Sequence, residues 1–426
     1  MKRLISYIIV ALVATTALAG TPQEEIASLL RLSASNHTTY PDENLPSLTP
    51  APAGYEAFFI DHYGRHGSRW LSSETTYQRP VELLRHAKRQ GLLTEQGERL
   101  LTTLQRVLES AHQRAGELSD KGAEQHQRIA KRMFKNFPTV FAGNARIDAR
   151  STVVIRCILS MQNATMTLRS LNPQLRITTD ASYHDMYYMG YGYGKDTLAR
   201  HIPNEVYPTV EAMYRNVSTE RFTKQFFTLA DSVITAGSTR FMRDVFDVAG
   251  SLQGHHEFDN LDLYHLFTGN EMFELWRIRN VMWYLQRANS PANGNRMPFV
   301  VSDLLRDLID KADAAVASRE HGAALRFGHE SIVLPLACLM EIDNINLSTT
   351  DLDNLHLQWK TYEIIPKGCN IQMIFYTNGS DDVLVKVLYN EHEAKLPVAT
   401  DMAPYYHWSD LKCYYENKLA TPINWN

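Results

Sequence analysis

A histidine between two arginines is the feature of this sequence best suited to chemistry. Residues 60–70 read Ile-Asp-His-Tyr-Gly-Arg-His-Gly-Ser-Arg-Trp, which places Arg65, His66 and Arg69 around Gly67. A neutral imidazole is a nucleophile near neutral pH, and paired guanidinium groups hold phosphate through charge-assisted hydrogen bonds. An isolated Arg-His-Gly tripeptide is more often solvated surface, so phosphate chemistry is indicated only if other segments supply matching groups.

Matching groups occur in three later segments. Leu-Ser-Asp-Lys-Gly ends at Gly122, a second segment runs from Arg150 through Arg156 to Ser160, and Phe-Gly-His-Glu-Ser occupies 327–331. Together with the first motif, and in this order, they resemble the signature of the histidine phosphatase superfamily in its acid phosphatase and phytase branch. The resemblance spans residues 55–340, which is most of the chain.

This resemblance implies both a fold and a mechanism. The fold would be α/β, with a phosphoglycerate-mutase-like sandwich core, an inserted, mostly helical domain and the active site in the cleft between them. His66 would attack phosphorus to give a phosphohistidine. Arg65, Arg69, Arg156 and His329 would bind the substrate and neutralise the transferring phosphoryl group. No metal and no cofactor would be required.

The proton donor is the site residue for which the sequence departs from the family. Members carry His-Asp or His-Ala-Glu, whereas this chain has His329, Glu330 and Ser331. The residues that follow resemble the His-Ala-Glu group, the multiple inositol polyphosphate phosphatases. In that alignment Ser331 takes the acid position, and a hydroxyl is too weak an acid. We therefore assign the donor to Glu330. The alternative is that Glu330 only orients an arginine, and that another acid or solvent protonates the leaving group.

A glycine-tyrosine segment adds one further candidate. Met189 is followed by Gly-Tyr-Gly-Tyr-Gly and then Lys195, but the spacing is not that of a P-loop. We interpret the segment as a flexible loop of the inserted lobe and keep Lys195 as a candidate substrate-binding residue.

The pattern of apolar residues predicts the elements that would position the site. Strands are expected at 55–60, 145–149 and 323–327, and ligands bind where such strands end. Helices are expected at 94–115, 119–137, 155–171 and 334–340, and a hairpin joins 370–376 to 383–389. The core would comprise 50–174 and 318–426. The helical lobe would be 175–317, with helices at 220–236 and 270–286.

The N-terminus has the form of a signal peptide at 1–19. A basic start, a short apolar run and Ala17-Leu18-Ala19 predict cleavage after Ala19, hence a periplasmic or secreted protein without a membrane anchor. The formal net charge of −4 argues against nucleic acid as a ligand. Four cysteines, at positions 157, 338, 369 and 413, could form two disulfides or remain free thiols.

The leading hypothesis is an exported histidine phosphatase that hydrolyses phosphate monoesters, with inositol hexakisphosphate (phytate) and lower inositol polyphosphates as preferred substrates. One alternative is a broad acid phosphatase or sugar-phosphate phosphatase. The other is a phosphate-ester binding protein without turnover. None of the three requires a protein partner.

Overall fold

The structure is a computed structural model that describes residues 20–42, 45–190, 198–229 and 232–423. The predicted signal peptide, with its cleavage point at Ala19, and Lys195 lie outside the described residues.

Strands from the two ends of the chain form one mixed sheet. Its order is β3-β2-β4-β1-β5-β6-β7, and β8 pairs with β6. β3, β2, β4 and β1 are mutually parallel, and β5 adds to β1 in the antiparallel sense. The strands are β1 (Glu56–Arg65), β2 (Arg146–Ser151), β3 (Arg176–Asp180), β4 (Gly322–Gly328), β5 (Asn370–Thr377), β6 (Leu384–Tyr389), β7 (His392–Glu393) and β8 (Tyr406–His407).

Helices cover both faces of this sheet. The described helices are α1 (Pro22–Ser28), α2 (Thr75–Arg89), α3 (Glu95–Ala111), α4 (Asp120–Asn136), α5 (Ile155–Leu171), α6 (Met186–Met189), α7 (Leu198–Arg215), α8 (Glu220–Lys224), α9 (Ser232–Leu252), α10 (Gly269–Arg287), α11 (Ser302–Ser318), α12 (Glu330–Leu339), α13 (Thr361–Ile364) and α14 (Trp408–Ala420). No described helix is long and apolar enough to cross a membrane.

Two hydrophobic clusters explain the layered arrangement. On one face of the sheet, Ile147 and Phe327 pack with Met133 of α4 and Leu168 of α5. The opposite cluster joins the strands to α11, α12 and the helices of the 186–318 region. β4 is buried along its whole length, as a central parallel strand covered on both faces must be. The expected α/β sandwich core is thus confirmed.

The predicted starts of the helices at 94 and 119 are confirmed to within a residue, although the first of these helices ends at Ala111 and not at the predicted 115. The hydroxyl of Thr94 accepts a hydrogen bond from the Gly97 N–H at 3.0 Å and caps α3, and Ser119 does the same for α4 through Gly122 at 3.2 Å. α5 spans 155–171 as the sequence indicated. The hairpin of β5 and β6 is also present.

The predicted helix at 220–236 is wrong. α8 ends at Lys224 and α9 begins at Ser232. Between them the backbone pairs with the segment before α3, since Thr94 N–H donates to Phe226 O at 3.0 Å and Thr228 N–H donates to Leu92 O at 2.8 Å. This tertiary pairing takes backbone groups that a continuous helix would need.

The region predicted as a helical lobe begins with a strand. β3 lies inside the 175–317 range and pairs with β2 in the main sheet. After β3, the described residues up to β4 contribute helices α6 to α11 and no strand to the sheet. The boundaries of the two domains themselves stay a prediction.

All four cysteines are free thiols. Cys157, Cys338 and Cys369 are buried, and Cys413 is exposed. The sequence left open two disulfides or free thiols, and the structure has free thiols.

Two glycines let the first motif lie directly on the start of α4. A Cβ on Gly67 would stand 2.2 Å from the carbonyl oxygen of Gly122, and a Cβ on Gly122 would stand 2.1 Å from that of Ser68. Neither contact is sterically possible, because the obstructing atoms are backbone. The loop that carries His66 is therefore positioned by a close approach that only glycine permits.

We expect Gly122→Ala to lower the free energy of unfolding by about 1–3 kcal/mol, because the added methyl group forces the loop and α4 apart. Thermal and urea unfolding would measure it. The matched control is Gly237→Ala in α9, where the nearest atom to the new methyl is a Leu83 side-chain carbon at 3.6 Å. That change should be neutral or stabilise by up to about 1 kcal/mol. Equal effects of the two substitutions would contradict the close-approach explanation.

Candidate active site

The parallel strands bring three of the sequence motifs to one edge of the sheet. β1 ends at Arg65 and β4 ends at Gly328, so His66 and His329 follow neighbouring strands. The pairing continues beyond the strands, since His66 N–H donates to Gly328 O at 2.9 Å. β2 ends at Ser151, and α5 carries Arg156 in its first turn. Topology therefore collects residues that are up to 264 positions apart, as the separation of 65 and 329 shows.

His66 is buried and neutral. Its side chain is 1% exposed, and its Nδ1 lies 2.8 Å from the Gly67 carbonyl oxygen. A carbonyl oxygen only accepts, so we assign the proton to Nδ1, which leaves Nε2 with its lone pair. Burial, together with the charges of Arg156 and Arg65, holds the pKa of His66 well below its usual 6.5. The nucleophilic form therefore persists into the acidic range.

Arg65 is held by its terminal nitrogens. Nη1 donates to Asn36 O at 2.7 Å and to Ile365 O at 2.8 Å, and Nη2 donates to Glu330 Oε1 at 2.6 Å. The residue is completely buried, but its Nε–H has no hydrogen-bond partner among the described residues. The guanidinium is thus fixed, with its Nε–H still available.

Three more cationic side chains share this property. In the part of the chain that the structure describes, Arg69 Nε, Arg156 Nε and Lys367 Nζ are buried without a hydrogen-bond partner. Together with Arg65, all of them act on the electrostatic environment of His66. A buried donor left unsatisfied costs about 1–3 kcal/mol. Four such donors around one imidazole form a site that an anion with several acceptor oxygens would stabilise.

Glu330 is ionised and committed to Arg65. Its Oε1 accepts from Arg65 and from Asn36 Nδ2 at 3.0 Å, while Oε2 lies 3.8 Å from His66 Nε2. Burial alone would raise the pKa of this carboxyl group, but Arg65 and Lys367 outweigh burial and hold the pKa well below its usual 4.5. A carboxylate in this state has no proton to give. The geometry favours the alternative in which Glu330 orients an arginine.

His329 lies across the site from His66, with ring centroids 5.7 Å apart. Its Nε2 is 3.2 Å from Thr152 Oγ1, and the Cys157 thiol packs against the ring at 3.8 to 3.9 Å. Burial and the charge of Arg156 lower its pKa to about 4. A neutral His329 can donate one hydrogen bond to a phosphate oxygen.

Three donor groups at the site could in principle hold a cation. Nitrogen or oxygen atoms of His66, His329 and Glu330 lie within 4.8 Å of one another. The four surrounding cationic side chains oppose a metal ion by charge repulsion and favour an anion instead.

Sequence reasoning missed Asn36 and Lys367. Asn36 fixes both Arg65 and Glu330, yet it lies before the first motif in a segment with no functional pattern. Lys367 follows Pro366 and precedes Gly368 at the start of β5, and a single lysine in such a turn gives no signal. All six catalytic candidates lie at this edge of the sheet: Arg65, His66, Arg69, Arg156, His329 and Glu330. Lys195 lies outside the described residues.

The basic residues of the helical region are mostly neutralised locally. Arg221 pairs with Glu271, Lys224 with Glu220, and Arg243 with Glu211 at 3.0 Å. A cavity of about 1220 Å³ beside α4 shows the same pattern, since Lys121 pairs with Asp259 and Arg128 pairs with Asp42. Buried cationic donors without a hydrogen-bond partner are therefore found at the His66 site, whereas these basic residues of the helical region and the cavity are paired.

We expect Glu330→Gln to destabilise the protein by about 3–5 kcal/mol at pH 7, because it leaves the buried Arg65 without its counter-charge. The folded-state pKa of Glu330 is lowered, so its stabilisation is present above about 4.5 and is lost as pH falls through the folded pKa. The difference in free energy of unfolding between wild type and Glu330→Gln, measured with urea, should accordingly shrink below pH 4.5. Glu95→Gln, which breaks an exposed pair with Arg99, is the control and should cost less than about 1 kcal/mol. A difference that grows on acidification would contradict the ion pair.

Comparison with known proteins identifies the fold. No protein-family model matches the sequence, and a search of curated protein sequences found no match. Solved structures do match. The multiple inositol polyphosphate phosphatase of Bifidobacterium longum in complex with inositol hexasulfate superposes with a TM-score of 0.75 at 18% identity, over 89% of this chain and 96% of that chain.

Two phytases show the same likeness. The phytase from D. castellii gives a TM-score of 0.63 at 15% identity, over 96% of this chain and 90% of that one. The apo form of Hafnia alvei phytase gives a TM-score of 0.52 at 12% identity, over 87% of this chain and 98% of that chain. With identities this low, it is the structural likeness that is informative: the chain adopts the fold of the multiple inositol polyphosphate phosphatases and phytases.

Proposed function

We propose that this protein is an exported phosphatase of the histidine type, which hydrolyses phosphate monoesters through a phosphohistidine. The observation that carries the proposal is the neutral His66 imidazole within a group of buried cationic donors that lack partners. An uncharged nucleophile beside fixed positive charge is what phosphoryl transfer without a metal requires. The fold shared with known phosphatases and phytases supports the same conclusion.

The first step would be attack by His66 Nε2 on phosphorus. Nδ1 stays protonated on the Gly67 carbonyl oxygen, which keeps the attacking lone pair in one orientation. The Nε–H groups of Arg65, Arg69 and Arg156 would take the equatorial oxygens as the bond to the leaving oxygen breaks. His329 would add a neutral hydrogen bond. Because these groups are fixed before substrate arrives, little reorganisation is needed in the transition state.

In the second step water would attack the phosphohistidine, release phosphate and restore His66. Glu330 contributes by holding Arg65 in place, through the contacts that it shares with Asn36. Its negative charge also offsets part of the repulsion among the arginines, so that the site can remain folded before substrate binds.

Phytate is the substrate that we propose first. It is a polyanion, which suits a site with excess positive charge, and a matching phosphatase was solved with inositol hexasulfate bound. Export rests on the signal-peptide pattern of residues 1–19. A broad acid phosphatase or sugar-phosphate phosphatase would use the same phosphate-binding groups, and would differ only in the contacts to the rest of the ester.

We expect His66→Ala to abolish phosphate release from phytate, with a loss of at least about 1000-fold, because the variant lacks the imidazole that would form the phosphohistidine. The wild-type protein should form an acid-labile phosphoenzyme in a rapid quench, and the variant should not. His407→Gln is the control, since this histidine lies on β8, pairs with Asp382 at 2.7 Å and should leave turnover unchanged.

The outcomes separate the candidate functions. Turnover of sugar phosphates that exceeds that of phytate, with the same dependence on His66, would identify a broader phosphatase. Binding of phytate without any phosphate release would identify a binding protein. Wild-type rates in His66→Ala would exclude the phosphohistidine.

A further inference from the structure

The leaving oxygen of an alkyl phosphate needs a proton, and the described site offers no free carboxylic acid to supply it. The Glu330 carboxylate lies near His66, with Oε2 3.8 Å from His66 Nε2, but its ion pair with Arg65 holds it in the ionised form. Ser331 has only a hydroxyl group. The proton must therefore come from a group of another type. Among the described residues, Lys367 carries a buried amine nitrogen that has no hydrogen-bond partner and that acts on the pKa of His66.

The backbone around Lys367 ties it to the nucleophile. Gly368 N–H donates to the His66 carbonyl at 3.1 Å, and Arg65 N–H donates to the Cys369 carbonyl at 2.8 Å. Lys367 N–H itself donates to the Thr38 carbonyl at 2.8 Å. Gly368 adopts a φ of +73°, which favours glycine and turns the chain here before β5. The turn that carries Lys367 is thus fixed to the loop that carries His66.

A second buried lysine shows how the fold treats a lysine with a structural role. Lys386 is 1% exposed, and its Nζ donates to Thr49 O at 2.8 Å, Glu393 Oε1 at 3.0 Å and Tyr405 Oη at 3.1 Å. Lys367 is equally buried at 2% exposed, yet its Nζ has no hydrogen-bond partner among the described residues. The difference indicates that Lys367 is kept for a ligand and not for the fold.

Burial and several charged groups set the pKa of Lys367. Burial lowers the pKa of its ammonium well below the usual 10.5, and the arginines add to this effect while Glu330 opposes it. A lysine ammonium in such surroundings gives up its proton more readily than an exposed one. The titratable and charged groups concerned are Arg65, Arg69, Arg156, Glu330, His37, His66, His255 and Cys369.

We propose that Lys367 is the general acid and base of this site, a role that rests on the proposed phosphatase function. As the bond between phosphorus and the leaving oxygen breaks and the bond to His66 Nε2 forms, the Lys367 ammonium gives one proton to that oxygen, and the alcohol departs. The resulting amine then takes a proton from the water that attacks the phosphohistidine. Phosphate leaves, and His66 and the ammonium are regenerated.

The bound phosphoryl group itself makes this assignment workable. A dianion beside Lys367 favours the ammonium, so the proton is in place when substrate is bound. Once the alcohol has left, the three arginines still hold the phosphoryl group, and the neutral amine is available as a base. A phosphate-binding role alone would use only the positive charge of Lys367, which an arginine also carries, whereas a proton-transfer role would not tolerate arginine.

The test compares Lys367→Met with Lys367→Arg on two substrates. Glycerol 2-phosphate has an alkoxide leaving group that requires a proton, whereas 4-nitrophenyl phosphate has a phenolate that requires little. We expect Lys367→Met to lose about 100-fold or more in kcat/KM on glycerol 2-phosphate, and less than about 10-fold on the aryl ester, because kcat/KM reports the steps up to departure of the leaving group. Lys367→Arg should show the same selective loss, because a guanidinium does not release a proton at working pH.

Inhibition by inorganic phosphate separates proton transfer from binding. We expect the inhibition constant of phosphate to change less in Lys367→Met than turnover of glycerol 2-phosphate does. Equal losses in alkyl turnover, aryl turnover and phosphate inhibition would reduce Lys367 to a binding cation and overturn the proposal. So would full alkyl activity in Lys367→Arg. The comparison within Lys367→Met is decisive by itself if the larger arginine prevents folding.

Two controls keep this result apart from other failures. Lys386→Met should lower stability without changing the ratio of alkyl to aryl turnover, since that lysine is satisfied by structural partners. A wild-type protein that hydrolyses neither ester nor phytate would contradict the proposed function itself. Wild-type activity with an unaltered leaving-group ratio in Lys367→Met would contradict only the role of Lys367.

Discussion

The ion pair between Arg65 and Glu330 is the interaction on which the site depends. Arg65 ends the central strand β1, and it is completely buried among two carbonyl oxygens and one carboxylate oxygen. Without the carboxylate, a cluster of arginines and a lysine would face one another with no counter-charge near the nucleophile. The pair therefore makes it possible to hold so much positive charge away from water before substrate arrives. Burial and the charge left over together lower the pKa of His66, and the same positive charge favours an anion over a cation at the site.

The parallel part of the sheet determines where this charge can be assembled. β2, β4 and β1 all end at the same edge, and the residues just past those ends include His66, His329 and the start of α5. The antiparallel strand β5 contributes differently, because it begins at that edge, and so the turn before it carries Lys367. The N-terminal segment closes the arrangement through Asn36, whose carbonyl oxygen and amide bind the two partners of the ion pair.

The sequence predicts the fold better than it predicts the roles of the site residues. Apolar periodicity and capping residues locate α4 and α5 almost to the residue, because these signals are local. The 220–236 helix fails because backbone pairing with 92–94 is a long-range contact that no local pattern records. The motif residues are found by their types and order, yet the partners of Glu330 depend on a tertiary contact with Asn36, which is 294 positions away. Lys367 escapes prediction for the same reason.

The exchange of His-Ala-Glu for His-Glu-Ser has a geometric consequence at the start of α12. Glu330 is the first residue of that helix, and successive residues of an α-helix point about 100° apart. A carboxyl group at position 330 therefore points in a different direction from one at position 331, where the His-Ala-Glu pattern would place it. In this chain it meets Arg65 Nη2 at 2.6 Å and becomes a fixed anion. A phosphatase that uses its carboxylate in this way still has to protonate an alkoxide. We propose that the buried side chain of Lys367, whose Nζ has no partner among the described residues and whose turn is bonded to the His66 carbonyl through Gly368, supplies that proton.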